Sequence, residues 1–284
     1  MPARPIVSVV ISTHNRATTL GKTLECLETQ TVPPDSFEVV VIDDGSTDHT
    51  LDFLANYQMD SSLQLQWYSQ QERGAPGARN AGVSHARGDL IAFTDDDCLP
   101  ASDWLEKGLP YFSSWKVVGV EGAILSQTEP EQKLKGFDHT PELRSRGRVV
   151  LGRTANMLYR RSVLETAGGF DERFTMPFGV KRSCREDTDL AWRVQAYGEI
   201  PFAGEVVVRH PRRMVSGVQR VRMCQYKMLD AVMFQKHPER FRDVLGLTFQ
   251  VHPLSMVSLV WLVYGFAYFS VKRPQKTVDV SFRE

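Results

Sequence analysis

Residues 90 to 100 read LIAFTDDDCLP. Leu90 to Phe93 have the length and composition of a buried strand, and the chain runs from them straight into three adjacent carboxylates, Asp95, Asp96 and Asp97. Three like charges at one strand end repel one another and cost stability unless water, a cation or a cationic partner takes up the field.

Working outward, the same pattern of apolar run and polar strand end recurs. IVSVVIS (6 to 12), FEVVVID (37 to 43), LQLQWYS (63 to 69) and DLIAFTD (89 to 95) are β-branched or aromatic enough to be strands. Between them, TTLGKTLECLETQ (18 to 30) puts Leu20, Leu24 and Leu27 on one helical face, and HTLDFLANY does the same with Leu51 and Leu54. Strand alternating with helix predicts an α/β fold with a parallel sheet covered by helices. Ligands of such sheets sit beyond the carboxyl ends of the strands. There this sequence collects Thr13, His14 and Asn15, then Asp43, Asp44 and Ser46, then the aspartate triplet.

The 284 residues carry 34 Lys+Arg and 34 Asp+Glu, a balance that argues against nucleic acid as the main partner. Cys26, Cys98, Cys184 and Cys224 form no CxxC pair, which speaks against a zinc site or a disulfide framework and for reduced thiols in a cytosolic compartment. The N-terminal apolar run breaks too early for a signal peptide and reads as a first strand. Beyond residue 115, VVGVEGAIL reads as a strand, 126 to 148 as a charged irregular loop, and 152 to 172 as a strand and then a helix ending at Gly168 and Gly169. A basic helical region spans about 212 to 243. Leu254 to Val271 then runs without a charge, about the minimum for a membrane span, and fits a membrane-associated helix, in-plane or spanning, or a buried terminal helix.

Asp95 and Asp97, at i and i+2 past a strand, can converge on one hard cation, and Mg²⁺ or Mn²⁺ fits oxygen ligands best. An Asp-rich turn capping a helix that starts near Ser102 competes for the same residues. Asp48 can cap the helix after the second strand, which leaves Asp43 and Asp44 free to accept hydrogen bonds from a base or ribose. RGAPGARNAG (73 to 82) adds glycines, Arg73 and Arg79 ahead of a helix through Ala86; it lacks the Lys-Ser/Thr of a Walker A loop and reads as a surface turn or a phosphate contact.

In order along the chain, VSVVISTHNR, VVIDDGSTD, GARNAG, DLIAFTDDDCLP, TANMLYRRSVLETAGGFDE and EDTDLAWRV resemble the family 2 glycosyltransferases, nucleotide-sugar-dependent inverting enzymes of GT-A fold. The resemblance covers roughly residues 6 to 210. It implies a GT-A domain over 1–215, with a nucleotide-sugar half (1–110) and an acceptor half (111–215), a helical extension (216–246) and a hydrophobic tail (247–284). It implies nucleotide contacts from Thr13, Asn15, Asp43, Asp44 and Arg79, with Asp95 and Asp96 beside them, and a divalent ion on Asp95 and Asp97. His210, following a strand in VVVRHP, joins the metal as a comparable histidine does in some relatives, or is structural. The second acidic cluster matches the family's E-D motif, with Asp187 as base, Glu186 orienting it or touching the acceptor, and Asp189 a helix N-terminal charge; a capped amphipathic helix is the plain alternative. Asn156 and Trp104 are candidates for the sugar or acceptor, Trp104 equally for the core.

Asp96 between the two D-x-D positions, and Cys98 where another aspartate is common, depart from many family members. The Gln-x-x-Arg-Trp signature of processive synthases is missing, which favours single-sugar transfer. The donor expected from the resemblance is a UDP-sugar. The acceptor is a glycan or a lipid-linked, cell-envelope glycan, reached at the cytoplasmic face of a membrane. Two rivals stand beside this reading, a sugar nucleotidyltransferase and a membrane-tethered, non-catalytic protein of the same fold.

Overall fold

The computed structural model describes residues 4–126, 152–176, 182–211, 224–240, 260–265 and 267–268. The loop expected at 126 to 148, the boundary at 215 and most of the apolar run 254 to 271 lie outside the described residues.

Eight strands form one sheet: β1 (Val7–Thr13), β2 (Phe37–Asp43), β3 (Leu65–Ser69), β4 (Leu90–Phe93), β5 (Leu99–Pro100), β6 (Gly119–Ser126), β7 (Met157–Arg160) and β8 (Phe202–His210). Their order across the sheet is β3-β2-β1-β4-β7-β6-β8-β5. The first four run parallel, as the alternating pattern predicts. All seven residues of β2 are buried, as befits a strand covered on both faces. The expectation of a parallel sheet fails beyond β4: β7 is antiparallel to both β4 and β6, so the sheet is mixed. A 3-10 turn at Thr154–Asn156 leads directly into β7.

Helix α1 (Ala17–Glu28) buries Leu20, Leu24 and Leu27 on the predicted face. In α2 (Thr50–Asp60), Leu54 is buried but Leu51 only in part, and Asp48 holds its start by accepting from the Thr50 amide at 3.0 Å. α3 (Ala75–His85) follows Gly74, whose φ of 87° is open to glycine at little cost, and has Pro76 in its first turn. Small residues let α3 lie against the sheet: a Cβ on Gly82 would stand 2.3 Å from Val10 Cγ1. Three shorter helices and one longer follow: α4 (Trp104–Gly108), α5 (Arg161–Thr166), α6 (Glu186–Val194) and α7 (Lys227–Lys236).

One apolar cluster lies between α1, α2 and one sheet face, a second between α3, α5, α6 and the other face. A third joins Phe174, Met176 and Trp192 to Met228, Leu229, Val232 and Met233 of α7, with Trp261 and Tyr268 packed against it. Val260, Val263 and Tyr264 are exposed. Among the described residues no helix is long and apolar enough to cross a membrane.

Candidate active site

The parallel strands β1, β2 and β4 end at Thr13, Asp43 and Phe93, and the polar segments that follow them meet along one edge of the sheet. Asn15 has a φ of 55°, a left-handed conformation that asparagine tolerates, and its Oδ1 accepts from the amides of Thr47 (2.7 Å) and Asp48 (3.1 Å). Asp43 accepts from the Ser46 amide and from Ser69 Oγ (2.9 Å). Asp44 takes the Gln70 side chain (2.7 Å) and the amides of Arg73 (2.9 Å) and Gly74 (2.8 Å), so it fixes the turn that launches α3. These oxygens, expected at a nucleotide, shape the loops around the strand ends. Thr13 Oγ1 donates to Asp96 Oδ2 at 2.8 Å and ties β1 to the acid triplet.

The triplet sits in a turn between β4 and the two-residue strand β5. Because Leu99 pairs with Arg209, the end of β8 is carried to the same place, and His210 Nε2 lies 3.5 Å from Asp97 Oδ1. Ligand atoms from Asp95, Asp97, Cys98 and His210 all lie within 4.8 Å of one another. Two carboxylates and an imidazole suit Mn²⁺ or Mg²⁺, and the thiol is a softer donor beside them. Burial pushes the Cys98 thiol well above its usual value, with Asp95 and Asp97 adding to the shift. Asp96 points the other way, toward Thr13 and Arg16. Burial raises its carboxyl to about 7 against the pull of Arg16 and Thr13.

Arg16, absent from the residues picked out in the sequence, donates from Nη1 to Asp97 Oδ2 at 2.6 Å and stands 3.5 Å from Asp96 Oδ1. Its signal was its position: it is the first cation after the end of β1, in the layer where the acids collect. Arg79, buried, spans the two acidic clusters with Nη2 3.2 Å from Asp95 and Nη1 2.9 Å from Glu186. Burial works against its charge, yet Asp95, Glu186 and Asp187 raise its pKa.

Glu186 and Asp187 open α6 directly after Arg185, which has a φ of 76°. Asp187 Oδ1 accepts from the Thr188 amide at 2.7 Å while the residue keeps a partly exposed edge. Burial raises both carboxyls, Glu186 to about 7 with the Asp187 charge as the second cause; Arg79 opposes the rise at each. Asp189 is more than a helix N-terminal charge: it is fully buried and bound by Arg193 (2.7 Å), Lys236 (2.7 Å) and His237 (2.8 Å). Burial alone would raise its carboxyl, but the hydrogen bond to His237 and the charges of Arg193 and Lys236 lower it.

Two expected acceptor contacts are corrected. Asn156 and Trp104 are both 0% exposed, and the indole Nε1 donates to Asn156 Oδ1 at 2.8 Å. The Asn156 amide donates to the carbonyls of Ala123 (2.7 Å) and Val206 (2.8 Å), which uses it to join β6, β8 and α4 inside the core. Arg153 lies 4.0 Å from the buried Glu121.

The sheet is thus mixed, with one acid cluster after β4 and a second at the start of α6, bridged by the buried Arg79. The family model described as glycosyl transferase family 2 matches residues 8–168, more than half of the chain. The chain belongs to that family. It is 28% identical over 214 residues to the glycosyltransferase AglE of Haloferax volcanii, covering 74% of this chain and 68% of AglE. Against curated relatives of this kind the chain spans between 23% and 68% of their own length. Among solved structures, the mannosyltransferase PcManGT of Pyrobaculum calidifontis, in complex with GDP-Man and Mn²⁺, superposes with a TM-score of 0.64 at 21% identity, over 97% of this chain and 78% of that one. S. aureus TarS 1-349 in complex with UDP-GlcNAc gives 0.60 at 19% identity, over 93% and 74%. At these identities the superpositions speak for the fold.

Proposed function

We propose that the protein transfers one hexosyl unit, with inversion, from a nucleoside diphosphate sugar to an acceptor hydroxyl. The observation that carries this reading is Arg79, which bonds Asp95 of one acid cluster and Glu186 of the other and so fixes the distance between donor and acceptor chemistry. Asp95, Asp97 and His210 would hold Mn²⁺ or Mg²⁺, which supplies charge neutralisation on the donor diphosphate as it leaves. Thr13, Asn15, Asp43 and Asp44 set the walls of the nucleotide pocket. Asp187 keeps Oδ1 on the Thr188 amide, which leaves Oδ2 to take the acceptor hydroxyl's proton. As that proton moves, the acceptor oxygen bonds to the anomeric carbon and the bond from that carbon to the diphosphate oxygen breaks on the opposite face. One displacement inverts the centre. Burial raises the Asp187 carboxyl above its usual value, the direction that makes it a stronger base.

A UDP-sugar donor follows from the family resemblance, and the solved neighbours, bound to GDP-Man in one case and UDP-GlcNAc in the other, make a guanine nucleotide the natural comparison. The uncharged run Leu254–Val271 supports work at the cytoplasmic face of a membrane on a lipid-linked or envelope glycan. The exposed Val260, Val263 and Tyr264 would face the lipid.

The test is a thermal-shift series with UDP-, GDP-, TDP- and CDP-sugars, each with Mn²⁺, Mg²⁺ or EDTA, on wild type and Asp97→Asn. A ligand that binds the native state raises the melting temperature. One nucleotide class should stabilise the wild type only with metal, and Asp97→Asn should lose the effect. No shift with any nucleotide and metal would remove the proposal's support.

A further inference from the structure

Helix α7 lies outside the stretch matched by the family model, yet it is pinned to the helix that begins with Glu186 and Asp187 at two charged points. At the first, Arg185 Nε donates to Asp230 Oδ1 at 2.8 Å, and Asp230 is 3% exposed. Arg185 is the residue held in the left-handed region, a conformation that persists in a non-glycine only where its surroundings enforce it. At the second, one turn further along α6, Asp189 receives Lys236 and His237 from the C-terminal end of α7. Lys236 also reaches Asp171 Oδ2 at 2.8 Å, in the segment after α5, and Trp192 packs edge-on to His237 with ring centroids 5.3 Å apart. Between the two pins, Met228, Leu229, Val232 and Met233 fill the apolar contact with Trp192 and Phe174.

We infer that α7 is a working part of the transfer site, with Asp230 a positioning residue that sets the Arg185 turn and thereby the reach of Glu186 and Asp187. The inference rests on the glycosyl-transfer reading for its consequence, though not for its geometry. The route is short. Asp230 fixes the Arg185 guanidinium and with it the strained backbone; the next residue, Glu186, accepts from Arg79; and Arg79 carries the position on to Asp95. A rotation of the Arg185 peptide would swing Asp187 away from the acceptor while the loops after β1 and β2, held by their own bonds to Asn15, Asp43 and Asp44, stayed in place. The domain that performs transfer therefore extends past the expected boundary at 215 to include 227–237.

The experiment compares the full chain as wild type, Asp230→Asn, Asp230→Glu and Arg185→Gln. Three quantities are measured: affinity for UDP and GDP with Mn²⁺, release of nucleoside diphosphate from UDP-glucose, UDP-N-acetylglucosamine and GDP-mannose with water as acceptor, and amide hydrogen exchange across 182–194. Asp230→Asn should keep nucleotide affinity within about twofold and lose at least tenfold in the rate of release. Exchange should accelerate at the first turn of α6 and stay unchanged in β1 to β4, and Asp230→Glu should recover most of both effects. If Asp230→Asn melts without cooperativity, Arg185→Gln, which breaks the same pair from the other side, supplies the same comparison. Wild-type rate and exchange in these variants overturn the inference, as does an equal loss of affinity and rate, which marks general damage. A wild type that releases no nucleotide sinks the glycosyl-transfer reading, and exchange at α6 then decides the positioning claim alone.

Discussion

Asp97 already faces a cation, the Arg16 guanidinium at 2.6 Å, in the place where a divalent ion would find its best carboxylate. Two positive charges compete for one oxygen pair, and Arg16 is only partly screened by solvent. Arg16→Ala should therefore tighten Mn²⁺ binding to the nucleotide-free protein by about tenfold, read by titration calorimetry. The carboxyls deeper in the site give a pH signature. Burial lifts Glu186 to about 7, so the folded protein binds a proton there that the unfolded chain releases at lower pH. Stability from this group is whole below the usual carboxylate range and is lost as pH rises toward 7. In metal-free buffer the melting temperature should fall across that window, and Glu186→Gln should flatten its share of the fall. The two acid clusters were visible in the sequence as runs of neighbouring carboxylates, though Asp43 and Asp44 turn out to hold the loops around them. Arg16 was not, since one arginine among 34 basic residues has no mark until β1 places it opposite Asp97. Asn156 and Trp104 misled for the reverse reason: side chains able to bind a sugar can equally satisfy each other in a core, and only tertiary packing decides.

Among elements, α3 is set by the absence of a side chain. It carries Arg79, and its approach to β1 leaves no room for a Cβ at Gly82. Gly82→Ala gains helix propensity but forces the helix outward against Val10, so the net expectation is destabilisation by about 1 to 3 kcal/mol, measured by urea unfolding. The displaced Arg79 should also weaken its bond to Glu186. The parallel strands and their helices could be read from the sequence because hydrophobic period and turn residues change together there. The antiparallel β7 could not: MLYR is a short apolar run whose direction shows only in its pairing between β4 and β6, with Phe93 against Met157. β5, two residues long, was also hidden, though its pairing with β8 is what brings His210 to the acids.

Across the whole molecule, the ion pairs that join α7 to the rest make it sensitive to acid. Burial alone would raise Asp171 and Asp189, but Arg173 and Lys236 hold the first, and His237, Arg193 and Lys236 the second, below the usual carboxylate value. Groups depressed in this way stabilise the fold above their unfolded pKa, near 4, and the contribution disappears as pH falls below it. Denaturant unfolding between pH 6 and 3 should show a loss that Asp189→Asn removes in part. At neutral pH that variant should cost about 3 kcal/mol, because it strands buried cations.

The single sheet that carries every strand among the described residues has a mechanical consequence. β7 is hydrogen-bonded to β4 on one side and to β6 on the other. The two sides of the sheet are thus one stiff plate, joined by ladder bonds that a hinge would have to break. A jaw-like closure of one side of the sheet on the other would break that ladder, so movement at the site falls to the segments that rise from the strand ends, while the spacing that Arg79 sets between Asp95 and Glu186 is built in.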